Sequence, residues 1–135
     1  MASVLEEKDA IRELLARYCF HFDLGAFDDW IALFTPDGVF DVGPMGRFEG
    51  HVGLRQFLKN VPLTEDRPLV KHCVMNSIVT VDGANATAQS YAVVISAGPP
   101  LGLTLVGRYE DRLVKTPHGW RFHERHVHFD FFHGR

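Results

Sequence analysis

The sequence has few cysteines, no surplus of basic residues and no long apolar run. Its two cysteines, Cys19 and Cys73, lie in apolar segments, which favours reduced thiols and a cytoplasmic location over a disulfide. The 14 Lys and Arg against 17 Asp and Glu leave a formal charge of -3, whereas nucleic-acid binding needs clustered basic residues. No segment is long enough to span a membrane. We therefore expect a cytoplasmic protein that binds neither nucleic acid nor a membrane.

The remaining composition is that of an ordinary globular protein, with 46% hydrophobic and 23% charged residues. A chain of 135 residues has room for one hydrophobic core, so the sequence predicts a single domain over residues 1–135. It contains no glycine-rich phosphate loop, nucleophile elbow or nucleotide fingerprint. We expect no cofactor.

Helical periodicity marks the first half of the chain. Ser3 and Glu6 form a predicted capping box at the start of a helix over about residues 4–22. A short second helix around Trp30 is predicted to end at Pro36-Asp37-Gly38, and a third is predicted over residues 51–60. Between them, residues 39–42 have the pattern of a short strand and residues 43–50 that of a glycine-rich loop.

Strand periodicity marks the second half of the chain. Turn residues suited to antiparallel hairpins separate the segments, and the helices must cover one face of the resulting sheet. The sequence thus predicts an α+β fold, three helices on a curved, mainly antiparallel sheet around an internal pocket. Long strands are predicted over residues 70–81, 85–95, 103–115 and 120–131.

Small residues on one face of the second long strand predict part of a pocket wall. Alternation places Ser90 on this face with Ala86, Ala88 and Ala92, where larger side chains would fill the interior. The alternative is close packing of a helix, which also selects small residues. Trp30 and Phe57 belong to an apolar set that lines either the core or the pocket.

Short motifs along the chain resemble a known family. These motifs, and the order of the predicted elements, resemble the SnoaL-like branch of the nuclear transport factor 2-like superfamily. The resemblance implies a cone-shaped α+β fold and a small-molecule pocket. The motifs are Arg17-Tyr18, Asp28-Asp29-Trp30, Thr35-Pro36-Asp37-Gly38, Phe48-Glu49-Gly50, Gly107-Arg108-Tyr109-Glu110-Asp111 and Gly119-Trp120-Arg121-Phe122.

Asp23 and His72 resemble the catalytic pair of scytalone dehydratase and hexachlorocyclohexane dehydrochlorinase. An aspartate at the end of a helix faces the negative end of the helix dipole, so a buried Asp23 needs a donor nearby. An imidazole held by a carboxylate has one nitrogen left to accept a proton near neutral pH. The second catalytic histidine of the scytalone enzyme has no counterpart here, because its place falls near Ser90 or Tyr91.

These residues predict a cofactor-independent lyase or isomerase that acts on a small, apolar or cyclic organic substrate. Its expected chemistry is β-elimination or a proton shift, with Asp23 and His72 as catalytic residues and Tyr18, Trp30 or Asn76 positioning the substrate. The alternative from another class is a module that binds a hydrophobic ligand without turnover.

A second enzyme hypothesis uses Asp41. This residue resembles the proton-shuttling aspartate of ketosteroid isomerase, a system that also illustrates a protonated carboxylic acid as hydrogen-bond donor. Tyr18 would then bind the oxyanion. If Asp41 is not catalytic, the turn-rich setting predicts that it bonds to local backbone.

The end of the chain supplies two further expectations. His126 and His128 share a strand face, but the spacing matches no known metal site, so we expect no metal. Arg108 and Arg125 are predicted to make exposed salt bridges. The exposed sheet face and the terminal aromatic residues, Phe129, Phe131 and Phe132, predict a homodimer through the sheet.

Overall fold

A computed structural model describes residues 2–133. Helix α1 begins where predicted, because Ser3 Oγ accepts the backbone N–H of Glu6 and the Glu6 carboxylate accepts that of Ser3. The helices are α1 (Val4–Asp23), α2 (Phe27–Ile31) and α3 (Gly50–Leu58), and the strands are β1 (Phe34–Asp41), β2 (Arg47–Glu49), β3 (Val70–Asp82), β4 (Asn85–Ala97), β5 (Leu101–Thr116) and β6 (Gly119–Phe132).

The six strands form one sheet in the order β2-β1-β6-β5-β4-β3. The four long strands are the predicted antiparallel meander, and β1 adds to β6 in parallel. The helices cover one face of this curved sheet, which confirms the predicted α+β class. No helix within the described residues is long and apolar enough to cross a membrane.

Two short elements differ from the prediction. Helix α2 ends at Ile31, and Phe34 already belongs to β1, which passes through Pro36 and Gly38. The glycine-rich segment contains β2, which pairs with the end of β1. In both places the local sequence favours a turn, but backbone pairing with a neighbouring strand makes the segment a β-strand. Residues of β1 pair with β6, and β2 pairs with the end of β1.

Aromatic rings fill much of the space between the helices and the sheet. Tyr18 lies among them, with ring centroids 5.5 Å from Trp30 and 5.8 Å from Phe122. The small residues of β4 face this interior, since Ala86, Ala88, Ser90 and Ala92 are all buried. The predicted internal pocket stays a prediction.

Candidate active site

Asp23 and His72 meet where the end of α1 reaches the edge of the sheet. Asp23 is the last residue of α1, and His72 is the third residue of β3, the edge strand. At the edge, the backbone N–H of His72 has no strand partner on its outer side. Because α1 packs along β3, its final carboxylate takes that place.

Both oxygens of Asp23 hold the same residue. The Nδ1 of His72 lies 2.7 Å from Asp23 Oδ1, and the backbone N–H of His72 donates to Oδ2 at 2.8 Å. A carboxylate only accepts hydrogen bonds, so Nδ1 carries the proton and Nε2 is the nitrogen left to accept one. The Asp23 and His72 side chains are 8% and 12% exposed. This arrangement fixes both the orientation and the tautomer of the imidazole.

The imidazole of His72 is bordered by aromatic rings. Phe22 meets it edge-on with the centroids 4.9 Å apart, and Tyr18 does so at 6.0 Å. Trp30 packs against both of these rings, and Phe57 stacks on Trp30 at 6.1 Å. The surroundings of the imidazole are therefore largely aromatic.

A buried ion pair lies next to this aromatic cluster. Arg125 Nε donates to Asp111 Oδ1 at 2.9 Å and Nη2 donates to Oδ2 at 3.3 Å, and both side chains are 0% exposed. The guanidinium also lies over the rings of Tyr109 and Tyr18, with its Cζ 3.4 and 4.2 Å from their centroids. The prediction of an exposed Arg125 is wrong, whereas Arg108 makes the predicted exposed ion pair, with Glu110 at 4.0 Å.

A β-bulge hides this ion pair from the sequence. Strict alternation from Phe122 would place Glu124 inward and Arg125 outward. In the structure Arg112 pairs with Glu124 and Leu113 with Phe122, so the extra residue His123 reverses the alternation. Such a slip moves every following side chain to the other face. Arg125 therefore points into the interior, beside its cross-strand partner Asp111.

Burial changes the protonation of this region. It raises the pKa of Asp111 to about 6, although the guanidinium of Arg125 acts in the opposite direction. For Arg125, burial is the largest single effect and lowers the pKa, but Asp111 acting together with Tyr109, Tyr18 and Cys19 makes the net direction upward. Desolvation also raises the pKa of Tyr18 well above its ordinary value. At neutral pH we therefore expect a charged pair beside a neutral phenol.

The remaining predicted site residues fall into two groups. Tyr18 contacts the His72 ring, Trp30 and Phe57 belong to the aromatic cluster behind it, and Ser90 is buried on the inner face of β4, opposite Tyr109. Asn76 is exposed instead. It occupies a bulge of β3 with φ 58°, and this bulge turns it away from the face that carries His72.

Asp41 is not brought to the pair. Its neighbour Phe40 points into the core, so Asp41 points to the other face of β1, where its Oδ2 lies 3.5 Å from His126 Nδ1. Its Oδ1 accepts the backbone N–H of Gly43 at 3.0 Å, which is the local bond expected of a non-catalytic Asp41. The geometry thus gives no support to a joint role of Asp41 and Tyr18.

The C-terminal histidines lie on the outer face of the sheet. His126 and His128 have their rings 6.5 Å apart, and they contact Glu124 at 3.0 Å and Glu110 at 2.9 Å, respectively. Across residues 2–133, no three His, Cys, Asp or Glu side chains converge as metal ligands would. Hydrogen bonds to carboxylates on the sheet surface account for these contacts.

Comparison with known proteins agrees with the fold. A family model described as a SnoaL-like domain matches residues 3–126. The uncharacterized protein Rv2910c of Mycobacterium tuberculosis is 33% identical over 131 residues, which cover 93% of this chain and 88% of the relative.

Two solved structures from Novosphingobium aromaticivorans are similar over most of their length. One, an NTF2-like protein with a cystatin-like fold, has a TM-score of 0.83 and 27% identity, and the match covers 94% of this chain and 84% of that one. The other, described provisionally as a scytalone dehydratase, has a TM-score of 0.81 and 23% identity, with 97% and 91% covered. The chain belongs to the SnoaL-like family of the nuclear transport factor 2-like superfamily, as its motifs predicted.

Proposed function

We propose that this chain is a cofactor-independent lyase or isomerase that takes a proton from carbon on a small cyclic substrate. His72 is the general base and Asp23 orients it. The observation that carries the proposal is the double contact of the Asp23 carboxylate with Nδ1 and the backbone N–H of His72, at 2.7 and 2.8 Å. It leaves Nε2 as the basic atom in an aromatic environment.

The proposed reaction begins when Nε2 of His72 removes a proton from a substrate carbon. The electron pair of that C–H bond forms a double bond to the neighbouring carbon, and the leaving group departs with its own bonding pair. A halide leaves as the anion, and His72 passes the proton to solvent. A hydroxyl group takes the proton back from His72 and leaves as water, and in a proton shift the same proton returns to another carbon.

Two features of the surroundings support this chemistry. The Asp23 carboxylate stabilises the imidazolium that forms during the reaction, and aromatic walls strengthen that attraction by excluding water. The same fold accommodates a protein described as a dehydratase.

Two probe compounds test the proposal, one for each leaving group. Elimination of water from 3-hydroxycyclohexanone gives cyclohex-2-enone, which is followed by its ultraviolet absorbance, and elimination from γ-hexachlorocyclohexane releases chloride. Loss of a general base lowers turnover on the order of a hundredfold or more, so we expect that loss in His72→Ala. Asp23→Asn should also lose turnover while it keeps ligand affinity, because the amide no longer fixes the tautomer.

Asp41→Asn is the matched control. It also removes one carboxylate charge, but from the outer face of β1, and it should leave turnover unchanged. Turnover that survives in His72→Ala and disappears in Asp41→Asn would contradict the proposal in favour of the isomerase hypothesis. We refer to Asp23 and His72 together as the dyad. If the wild type binds a ligand without turnover, and His72→Ala and Asp23→Asn bind it equally well, the binding module is favoured.

A further inference from the structure

A surface cavity lies apart from the Asp23–His72 pair. It is an open groove of about 460 Å³ between α1, α2 and the β5–β6 hairpin, which is within the size range of small-molecule sites. The buried side chains of Leu14, Leu33 and Trp120 contribute an apolar floor. We refer to this cavity as the hairpin groove.

The rim of the hairpin groove carries motif residues that belong neither to the hydrophobic core nor to the Asp23–His72 dyad. Arg17, Asp29 and Arg121 come from three separate motifs, and all three line this one cavity. Arg17 and Asp29 are exposed and Arg121 is half-buried, so packing alone does not explain them. Their convergence points to a ligand at the groove.

Arg121 is the residue best placed to hold that ligand. Its Nη1 donates to the backbone carbonyl of Trp120 at 2.8 Å, which holds the guanidinium against its own strand. Within residues 2–133 it has no carboxylate partner, whereas Arg17 is already paired with Glu13 at 3.1 Å. A half-buried, held guanidinium presents a planar set of donors that matches a carboxylate.

The acidic side chains of the rim restrict the charge of the ligand. Glu13 offsets Arg17, and Asp29 adds a second negative charge to the same rim. One carboxylate can pair with Arg121, but a second would lie near acidic groups, where like charges repel. The apolar floor favours a flat hydrocarbon body.

We propose that the hairpin groove binds a small monocarboxylate with an apolar body, and that Arg121 pairs with its carboxylate. This site is independent of the proposed elimination chemistry, because neither Asp23 nor His72 lines it. The ligand should bind whether or not the dyad is active.

Benzoate and benzamide are matched probes, because they share size and ring but differ in charge. Two-dimensional proton–nitrogen spectra should show saturable benzoate-dependent shifts of the Arg121 Nε–H and the Trp120 indole N–H, which donates to Glu7 at 3.0 Å. The indole N–H of Trp30, fully buried elsewhere, is the internal reference. We expect benzamide to bind on the order of tenfold more weakly, since it lacks the charged hydrogen bonds, and phthalate, a dicarboxylate, to bind more weakly than benzoate.

Variants separate this site from the dyad. Arg121→Gln should weaken benzoate binding by on the order of tenfold, and Arg121→Lys by less, because lysine keeps the charge and loses the planar fork. Arg112→Gln, at an exposed arginine of β5, is the matched control, and His72→Ala should also bind normally. Equal affinity for benzamide, normal binding by Arg121→Gln, or loss of binding only in His72→Ala would each overturn the proposal.

Discussion

Replacement of Arg125 by methionine tests the energetics of the interior. The wild-type guanidinium makes two hydrogen bonds to Asp111, at 2.9 and 3.3 Å, and both side chains are fully buried. Arg125→Met leaves the carboxylate of Asp111 buried without its partner, which typically costs about 3–5 kcal/mol. The loss of the desolvated contacts with Tyr109 and Tyr18 adds about 2 kcal/mol. The free energy of unfolding of such domains is about 5–15 kcal/mol, so this loss is a large part of it.

The cost should depend on pH in a definite direction. Burial raises the pKa of Asp111 to about 6 even beside Arg125, and removal of the guanidinium raises it further. A carboxyl group whose pKa is raised on folding stabilises the folded state at low pH and loses that contribution as the pH rises through the folded-state pKa. Relative to the wild type, whose own Asp111 is protonated below about pH 6, the variant should therefore recover about 1.4 kcal/mol between pH 7 and pH 6 and little more below pH 6.

Urea denaturation of three proteins at pH 5 and pH 7 measures both effects. In the double variant Asp111→Leu with Arg125→Met, neither charge of this pair remains, so it should be more stable at pH 7 than Arg125→Met alone. A double variant no more stable than the single one would refute the reasoning. The same conclusion would follow if the cost of Arg125→Met were as large at pH 5 as at pH 7.

Three further predictions concern packing and assembly. Iodoacetamide at pH 8 should label native Cys73 but not Cys19. Burial raises the pKa of the Cys19 thiol to about 11, so roughly one Cys19 side chain in a thousand is a thiolate at that pH. Equal labelling of the two cysteines would contradict this prediction. Gly25→Ala should lower the free energy of unfolding more than Gly83→Ala does. A Cβ at Gly25 would lie 2.5 Å from the Asp66 carbonyl oxygen, whereas one at Gly83 would have no neighbour within 4 Å. Equal losses of stability in urea denaturation would contradict this prediction. Light scattering should show a homodimer that Tyr91→Glu converts to a monomer. The reason is that Tyr91 and Ile78 expose 57% and 60% of their surface on the sheet. A monomeric wild type would contradict the predicted dimer.

The helices and long strands could be predicted because their periodic patterns extend over many residues. The capping box at Ser3 and Glu6 fixed the start of α1, and turn chemistry separated the long strands. The proximity of Asp23 and His72, 49 residues apart in sequence, could not be derived from periodicity. It came from the family resemblance, together with the need of a buried carboxylate for a donor.

The side chains that could not be predicted lie near irregularities of the strands. The bulge at His123 moves Arg125 inward and the bulge at Asn76 moves that side chain outward, because one extra residue reverses the alternation. Nothing in the local sequence marks either position. Short β2 was missed for a related reason, since three residues are too few to show a period.

Nitrogen NMR of the imidazole of His72 tests the central claim most directly, because that claim concerns which ring nitrogen is free. At neutral pH the account predicts that Nδ1 carries the proton, bonded to Asp23, and that Nε2 is unprotonated. Asp23→Asn should increase the tautomer protonated at Nε2, whereas Asp41→Asn should change nothing. A proton found on Nε2 of the neutral ring in the wild type, with no response to Asp23→Asn, would contradict the account.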